Sequence, residues 1–196
     1  MIIYRNYFWL LKLGAPLNIY FLYKTLTSPL LFADFYIRIP AQIFFIVSAF
    51  RCLFPVNYIT KAVVHKSVFS SIFFTRLIAT FSEVAYIYIF SYLLRFVNIS
   101  NISFINILSW LMVIQVCISQ FFVWLAILTE KQKFYYYEEL GWATIFSLNT
   151  ILSAIIYFSL EHIASWKLLL ELNLLFGIFY LPWQFFHLKS IEIRSK

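Results

Sequence analysis

The sequence predicts an all-α, polytopic integral membrane protein, with about six transmembrane helices in one bundle and a single domain over residues 1–196. Composition is the first observation: 63% of the residues are hydrophobic and 12% are charged, whereas soluble domains are about 45–50% apolar and about 25% charged. The mean hydropathy of +0.86 is the second. The third is a series of apolar runs, separated by polar links, that approach or exceed the roughly 20 residues needed to cross a bilayer.

The six predicted spans are residues 6–23, 38–54, 70–95, 104–128, 141–160 and 166–187. The segments 55–69 and 129–140 are predicted to be loops. The first span is the least regular, because Lys12, Gly14 and Pro16 interrupt its apolar run and a proline inside a helix bends it. If this segment is instead an interfacial helix that lies on the membrane, five spans remain.

Basic residues are distributed unequally between the two sides of this topology. With six spans, nine fall on the side that holds both termini and four on the other, so the positive-inside rule places both termini in the cytoplasm. The corresponding membrane is a bacterial inner membrane, or an organellar inner membrane with the termini in the matrix. Without the first span the difference falls to eight against six. The formal charge of +7 is scattered singly between apolar spans, so we expect no nucleic acid partner.

The third predicted span, 70–95, carries charge inside its apolar run. On a helix, Arg76, Thr80 and Glu83 lie within roughly 60° of one another. A charged group in hydrocarbon costs several kcal/mol unless it faces protein or water and has a partner. The two charged residues are about 10 Å apart along the helix axis, so we expect each to find partners on other helices. The polar stripe is then either a functional pocket or an ion pair required for folding.

A second group of polar residues is predicted to lie toward the cytoplasmic ends of the spans. Glu138 and Glu139 are placed at the N-terminus of the fifth span, where the helix dipole favours anions, which is the plain structural interpretation of them. The functional interpretation makes Arg76, Glu83, Glu138 and Glu139 candidate catalytic residues. Candidate ligand-binding residues are Arg51, His65, Thr80, Trp142, Asn149, Gln184 and His187.

Several chemistries are not indicated. The chain has three histidines and two cysteines, without an HxxxH, HExxH or CxxC pattern, so we predict no metal site. With three glycines, no glycine-rich phosphate loop is present. The sequence does not specify a cofactor, and it does not distinguish an enzyme from a binding protein. Buried amides such as Asn149 have a structural alternative, which is hydrogen bonding between helices.

Three functions are compatible with this pattern. The preferred one is binding or transformation of an apolar, lipid- or isoprenoid-like molecule near the cytoplasmic face, with its polar end at Arg76, Glu83 and the group of polar residues at the cytoplasmic ends of the spans. The second is a non-catalytic accessory subunit of a larger membrane complex. The third is a proton- or ion-coupled carrier, which would require broken helices or repeated halves. The expected partners are membrane lipids, an apolar small molecule, or other membrane subunits.

Overall fold

The computed structural model describes residues 8–27, 35–57, 62–63, 65, 67–159 and 164–195. Its α-helices are α1 (Gly14–Thr27), α2 (Phe35–Leu53), α3 (Ile72–Val97), α4 (Ser103–Thr129), α5 (Gln132–Ser159) and α6 (Ala164–Ser195). Among the described residues, five helices, α2 to α6, are long and apolar enough to cross a membrane, judged by length and composition. The prediction of an all-α, multi-pass membrane protein is therefore confirmed.

The chain divides into two compact units, residues 1–89 and 90–196, and the boundary lies inside α3. The first unit holds α1, α2 and the first part of α3. The second unit holds the remainder of α3 together with α4, α5 and α6. The organisation of the chain as one domain stays a prediction.

The first predicted span is interrupted in the structure. Residues 8–12 are helical, a turn follows at Leu13, and α1 begins at Gly14. The expected disturbance by Pro16 takes the form of a break rather than a bend: the helix is interrupted at Leu13, and Pro16 lies in the first turn of α1, where its missing N–H is not needed. With 14 residues, α1 is shorter than a membrane-crossing helix. This length agrees with the alternative of five crossings, because the five helices of the described residues that can cross a membrane are α2 to α6.

The segment between α2 and α3 contains a small hairpin. Strand β1 (Val56–Asn57) pairs antiparallel with β2 (Ala62–Val63), and a 3₁₀ turn at Val68–Ser70 leads into α3. Sequence analysis predicted this region as a loop. The two-residue strands are too short to alter the all-α class.

Helix α4 turns one continuous face toward the interior of the second unit. Seven of its eight buried residues follow one another at spacings of four and three, which is the pattern of left-handed helix packing. These seven are Ile105, Ser109, Met112, Val116, Ser119, Val123 and Ala126, and the eighth is Gln120. Apolar and hydroxyl side chains thus share the same packed face.

Small residues bring α4, α5 and α6 close together. A Cβ added to Gly141 of α5 would lie 1.9 Å from the Ser119 hydroxyl of α4. A Cβ added to Gly177 of α6 would lie 2.1 Å from the Thr150 hydroxyl of α5. Transmembrane helices associate through such small residues because lipid offers no hydrophobic driving force between them.

The predicted loop at 129–140 is mostly helical. Helix α5 begins at Gln132, so Glu138 and Glu139 lie in its second turn. The helix-dipole interpretation of these two carboxylates is therefore wrong, because the dipole acts within the first turn. The charged segment continues the helix because Lys, Gln and Glu are good helix formers. Likewise, α6 extends to Ser195, beyond the predicted end of the sixth span.

Candidate functional site

The two charged residues of the third predicted span form an ion pair within α3. Arg76 Nη1 donates to Glu83 Oε1 at 3.1 Å, and Arg76 Nη2 donates to Glu83 Oε2 at 2.9 Å. The expectation that they are too far apart for an intrahelical pair is wrong. The 10 Å rise separates the two backbones, but the long arginine and glutamate side chains lie on one face and reach toward each other over two turns. The contact is bidentate, the strongest geometry for this pair.

A second arginine approaches the same carboxylate. Arg51 in the last turn of α2 places Nη1 3.5 Å from Glu83 Oε1. The three side chains differ in exposure: 3% for Arg76, 16% for Glu83 and 41% for Arg51. The predicted candidates Arg51, Arg76 and Glu83 are therefore brought together, with Arg76 buried and Arg51 open. We refer to these three residues as the arginine–glutamate group.

Thr80, a predicted ligand-binding residue, lies on the same helix between Arg76 and Glu83. Its hydroxyl donates to the backbone carbonyl of Arg76 at 3.1 Å. This hydrogen bond satisfies the threonine hydroxyl inside the apolar helix, since a buried hydroxyl without a partner is costly. This contact gives Thr80 a structural role within α3.

Four phenylalanines surround the end of α2 and the start of α3. Phe50, Phe54, Phe69 and Phe74 have ring centroids 5.0–6.2 Å apart in each of five pairs. Aromatic pairs at these separations attract beyond simple burial. Phe69 is 53% exposed, so the cluster has an open side. We call these four residues the phenylalanine cluster; Phe50 is the immediate neighbour of Arg51 in the sequence.

The predicted candidate His65 adjoins this cluster and contacts the N-terminal segment. Its ring centroid is 5.9 Å from that of Phe54. Lys12 Nζ lies 2.9 Å from His65 Nε2, and the same ammonium lies 4.0 Å from the Trp9 ring centroid. Sequence reasoning missed the Lys12 contact because 53 residues separate it from His65. No periodicity in the sequence connects the two.

Three further candidates meet in the second unit. Gln184 of α6 donates through Nε2 to both the backbone carbonyl and the Oε2 atom of Glu139, at 2.8 Å each. His187 Nε2 lies 3.7 Å from Glu139 Oε1, and its ring stacks on Trp183 with an interplanar angle of 8°. Gln184 is 1% exposed. These contacts tie the start of α5 to α6.

Of the other candidates of the second unit, Glu138 and Asn149 are buried in its interior and Trp142 is partly exposed. Glu138 is 7% exposed and Asn149 is 1% exposed. Trp142 stacks on Phe146, with ring centroids 6.0 Å apart. Within the described residues, neither amide atom of Asn149 has a hydrogen-bond partner. The structural alternative for Asn149, hydrogen bonding between helices, is therefore not found among the described contacts.

Another polar network escaped sequence analysis. Arg95 of α3 donates from Nη1 to the hydroxyls of Ser91 and Ser109, and its guanidinium carbon lies 4.2 Å from the Trp110 ring centroid. Ser91 also donates to the Ser109 backbone carbonyl at 2.6 Å. The spacing of Ser91 and Arg95 by four residues was a usable signal. No spacing in the sequence indicated the contact between Arg95 and Ser109 of α4.

Among the described residues, no group of three or more His, Cys, Asp or Glu side chains is arranged to hold a metal ion. Comparison of the chain with protein-family models, with curated proteins and with solved structures finds no match. At the end of α2 and the start of α3, the arginine–glutamate group and the phenylalanine cluster combine charged side chains with a partly open apolar surface.

Proposed function

We propose that this membrane protein binds an amphipathic, lipid- or isoprenoid-like molecule at the end of α2 and the start of α3. The single observation that carries the proposal is that the arginine–glutamate group and a partly open phenylalanine cluster both lie where α2 ends and α3 begins. Ligand sites of this kind combine an apolar wall with a few polar groups that fix the ligand's orientation. The apolar part would lie against the phenylalanines and the polar end against the charged groups.

The geometry favours binding over acid–base chemistry at Glu83. Both oxygens of its carboxylate already accept hydrogen bonds from Arg76. A general base must have an oxygen within hydrogen-bond reach of the proton that it removes. We therefore propose that the ion pair positions the surrounding side chains, and that Arg51 and the phenylalanines contact the ligand.

The test is to extract lipids from the purified full-length protein and identify bound molecules by mass spectrometry. We expect one amphipathic molecule to be retained in a fixed ratio to the protein. Phe69→Ala should reduce this amount about threefold, because an aromatic contact contributes about 0.5–1.5 kcal/mol. Phe69 is half exposed, so its truncation should leave the fold intact.

The matched control is Phe81→Ala. Phe81 lies on α3 with an exposure of 61%, comparable to that of Phe69, and no described ring contact joins it to the phenylalanine cluster. We expect this variant to retain as much amphipathic molecule as the unmodified protein. Equal losses in the two variants, or no retained molecule at all, would contradict the proposal.

An accessory-subunit function is the second candidate, and one observation favours it. Helix α2 buries two of its 19 residues, Val47 and Ala49, which leaves most of its surface for lipid or for another subunit. Size measurement in mild detergent separates the two functions. A single species of 23.4 kDa protein plus detergent would count against a complex. The carrier hypothesis receives less support, because the two units contain different elements rather than repeated halves.

A further inference from the structure

We propose that Arg51 is the head-group residue of this site and that it binds an anionic oxygen group, a phosphate or a carboxylate, on the amphipathic molecule. This inference rests on the proposed function and specifies the ligand's polar end. It also assigns different tasks to the two arginines: Arg76 holds Glu83, and Arg51 binds the ligand.

The distances distinguish the two arginines. Arg76 is buried and bonds both oxygens of Glu83, whereas Arg51 approaches one of those oxygens at 3.5 Å. That oxygen already accepts from Arg76 at 3.1 Å. Arg51 can therefore move away without leaving the carboxylate unpaired. A buried ion pair is costly to break. Arg51, the more exposed arginine, is therefore the one that can leave Glu83 and bind a ligand.

The chemistry of arginine defines the ligand class. A guanidinium carries five N–H donors in a planar fork that matches carboxylate and phosphate oxygens. Among the described hydrogen bonds, Arg51 makes one, through Nη1, and 41% of its side chain is accessible. Its remaining donors are in a position to bind an approaching anion in two-point fashion.

The surrounding charge also favours an anion. Residues 1–89 contain eight basic and two acidic residues, which accounts for six of the seven net positive charges of the chain. Arg51 lies two residues before the end of α2, in the last turn of the helix, and Phe50 and Phe54 of the phenylalanine cluster flank it in the sequence. With an anionic head on the guanidinium, we propose that the apolar tail extends toward the phenylalanine cluster at this end of α2. A lipid head group and a soluble phosphate ester share this chemistry.

The experiment is native mass spectrometry of the full-length protein in nonionic detergent, titrated with two probes. One is phosphatidylglycerol, which carries one negative charge, and the other is phosphatidylcholine of the same chains, which is zwitterionic. We expect phosphatidylglycerol to bind about tenfold more tightly, as expected for a charge-assisted hydrogen bond. Arg51→Gln should remove this preference. A third titration with glycerol phosphate distinguishes the sources: competition at millimolar concentration assigns the site to soluble phosphates, and its absence assigns it to lipids.

Arg38→Gln is the matched control. It removes the same charge from the same helix, and Arg38 Nη2 donates to the Leu26 carbonyl at 2.8 Å, away from the arginine–glutamate group. We expect its binding to match that of the unmodified protein. Arg51→Lys, which keeps the charge and should fold if Arg51→Gln does not, should retain part of the preference. Equal losses in Arg51→Gln and Arg38→Gln, or equal binding of the two lipids, would overturn the inference.

The two proposals fail in different ways. Retention of an uncharged amphipathic molecule, sensitive to Phe69→Ala and insensitive to Arg51→Gln, would overturn the anionic head group and leave the proposed function standing. Absence of any retained molecule would overturn the proposed function itself. The lipid extraction and the titration therefore give separate answers.

Discussion

The two units of the chain differ in the kind of polar residues that they contain within an apolar sequence. Residues 1–89 contain eight basic and two acidic residues, whereas residues 90–196 contain seven and six. Among the described residues of the first unit, the buried polar side chains are the hydroxyls of Ser70, Thr75 and Ser82 and the guanidinium of Arg76, which belongs to a group of one carboxylate and two guanidinium groups. In the second unit most buried polar side chains are neutral amides and hydroxyls on packed helix faces, such as Ser119, Asn149 and Ser153, and the carboxyl of Glu138 is also buried.

This difference suggests different tasks: the charged group of the first unit is a candidate site, and the neutral polar residues of the second unit pack its helices together. Charged groups in a membrane are expensive and are usually kept for function or for a specific pairing. Neutral hydroxyls and small residues let helices approach closely, as at Gly141 and Gly177. The comparison therefore predicts that the first unit is sensitive to loss of charge and the second to gain of volume.

Loss of the carboxylate in the first unit should have the largest effect on stability. Glu83→Gln removes the bidentate, charge-assisted contact with the buried Arg76 guanidinium, and hydrogen bonds to charged groups contribute about 1.5–3 kcal/mol. Because the contact is bidentate and Glu83 is 16% exposed, we expect a loss of about 3 kcal/mol, the upper end of this range. The measurement is the free energy of unfolding in detergent micelles.

Glu171→Gln in the second unit is the control for this change. Glu171 accepts a hydrogen bond from the Tyr157 hydroxyl at 3.2 Å and lies at the exposed surface. Its replacement should lower the free energy of unfolding by less than about 1 kcal/mol. Similar losses for both variants would show that the two units do not differ in their dependence on charge.

Added volume in the second unit should have the next largest effect. Gly141→Ala places a Cβ 1.9 Å from the Ser119 hydroxyl, and overpacking of this kind costs about 1–3 kcal/mol. Ser119→Ala removes the nearest obstructing atom, and the next one, Gln115 Nε2 at 2.9 Å, is the end of a flexible side chain, so the double variant should regain much of the lost stability. Ser119→Ala alone should be close to neutral, because its hydroxyl is buried without a described partner. If the losses of unfolding free energy in the two single variants simply add in the double variant, the close approach of Gly141 to Ser119 is not the cause of the destabilisation.

Local features of the site could be predicted from the sequence, and long-range contacts could not. The rotation of 100° per residue correctly places Arg76 and Glu83 on one face of the helix. Their axial separation of about 10 Å refers to the backbone, and the long side chains span it, so the two residues pair within the helix. The helical charged segment before Gly141 was missed because polarity was interpreted as a loop rather than as a helix leaving the membrane. The bonds between Lys12 and His65, and between Glu139 and Gln184, join positions 53 and 45 residues apart. They depend on packing that a single sequence does not encode locally.

Asn149 gives the smallest and most discriminating prediction, because the two interpretations of it predict opposite signs. If its amide joined helices by hydrogen bonds, Asn149→Leu would destabilise the protein. Both amide atoms are buried without a partner among the described residues, so replacement by a similar apolar volume should stabilise it by about 1 kcal/mol. Asn173, which donates to Ser153 at 3.3 Å, is the control, and Asn173→Leu should lower the free energy of unfolding by about 1 kcal/mol. A loss of stability in both variants would show that Asn149 joins helices by hydrogen bonds. The buried amides of the second unit would then stabilise its helix packing rather than merely be accommodated by it.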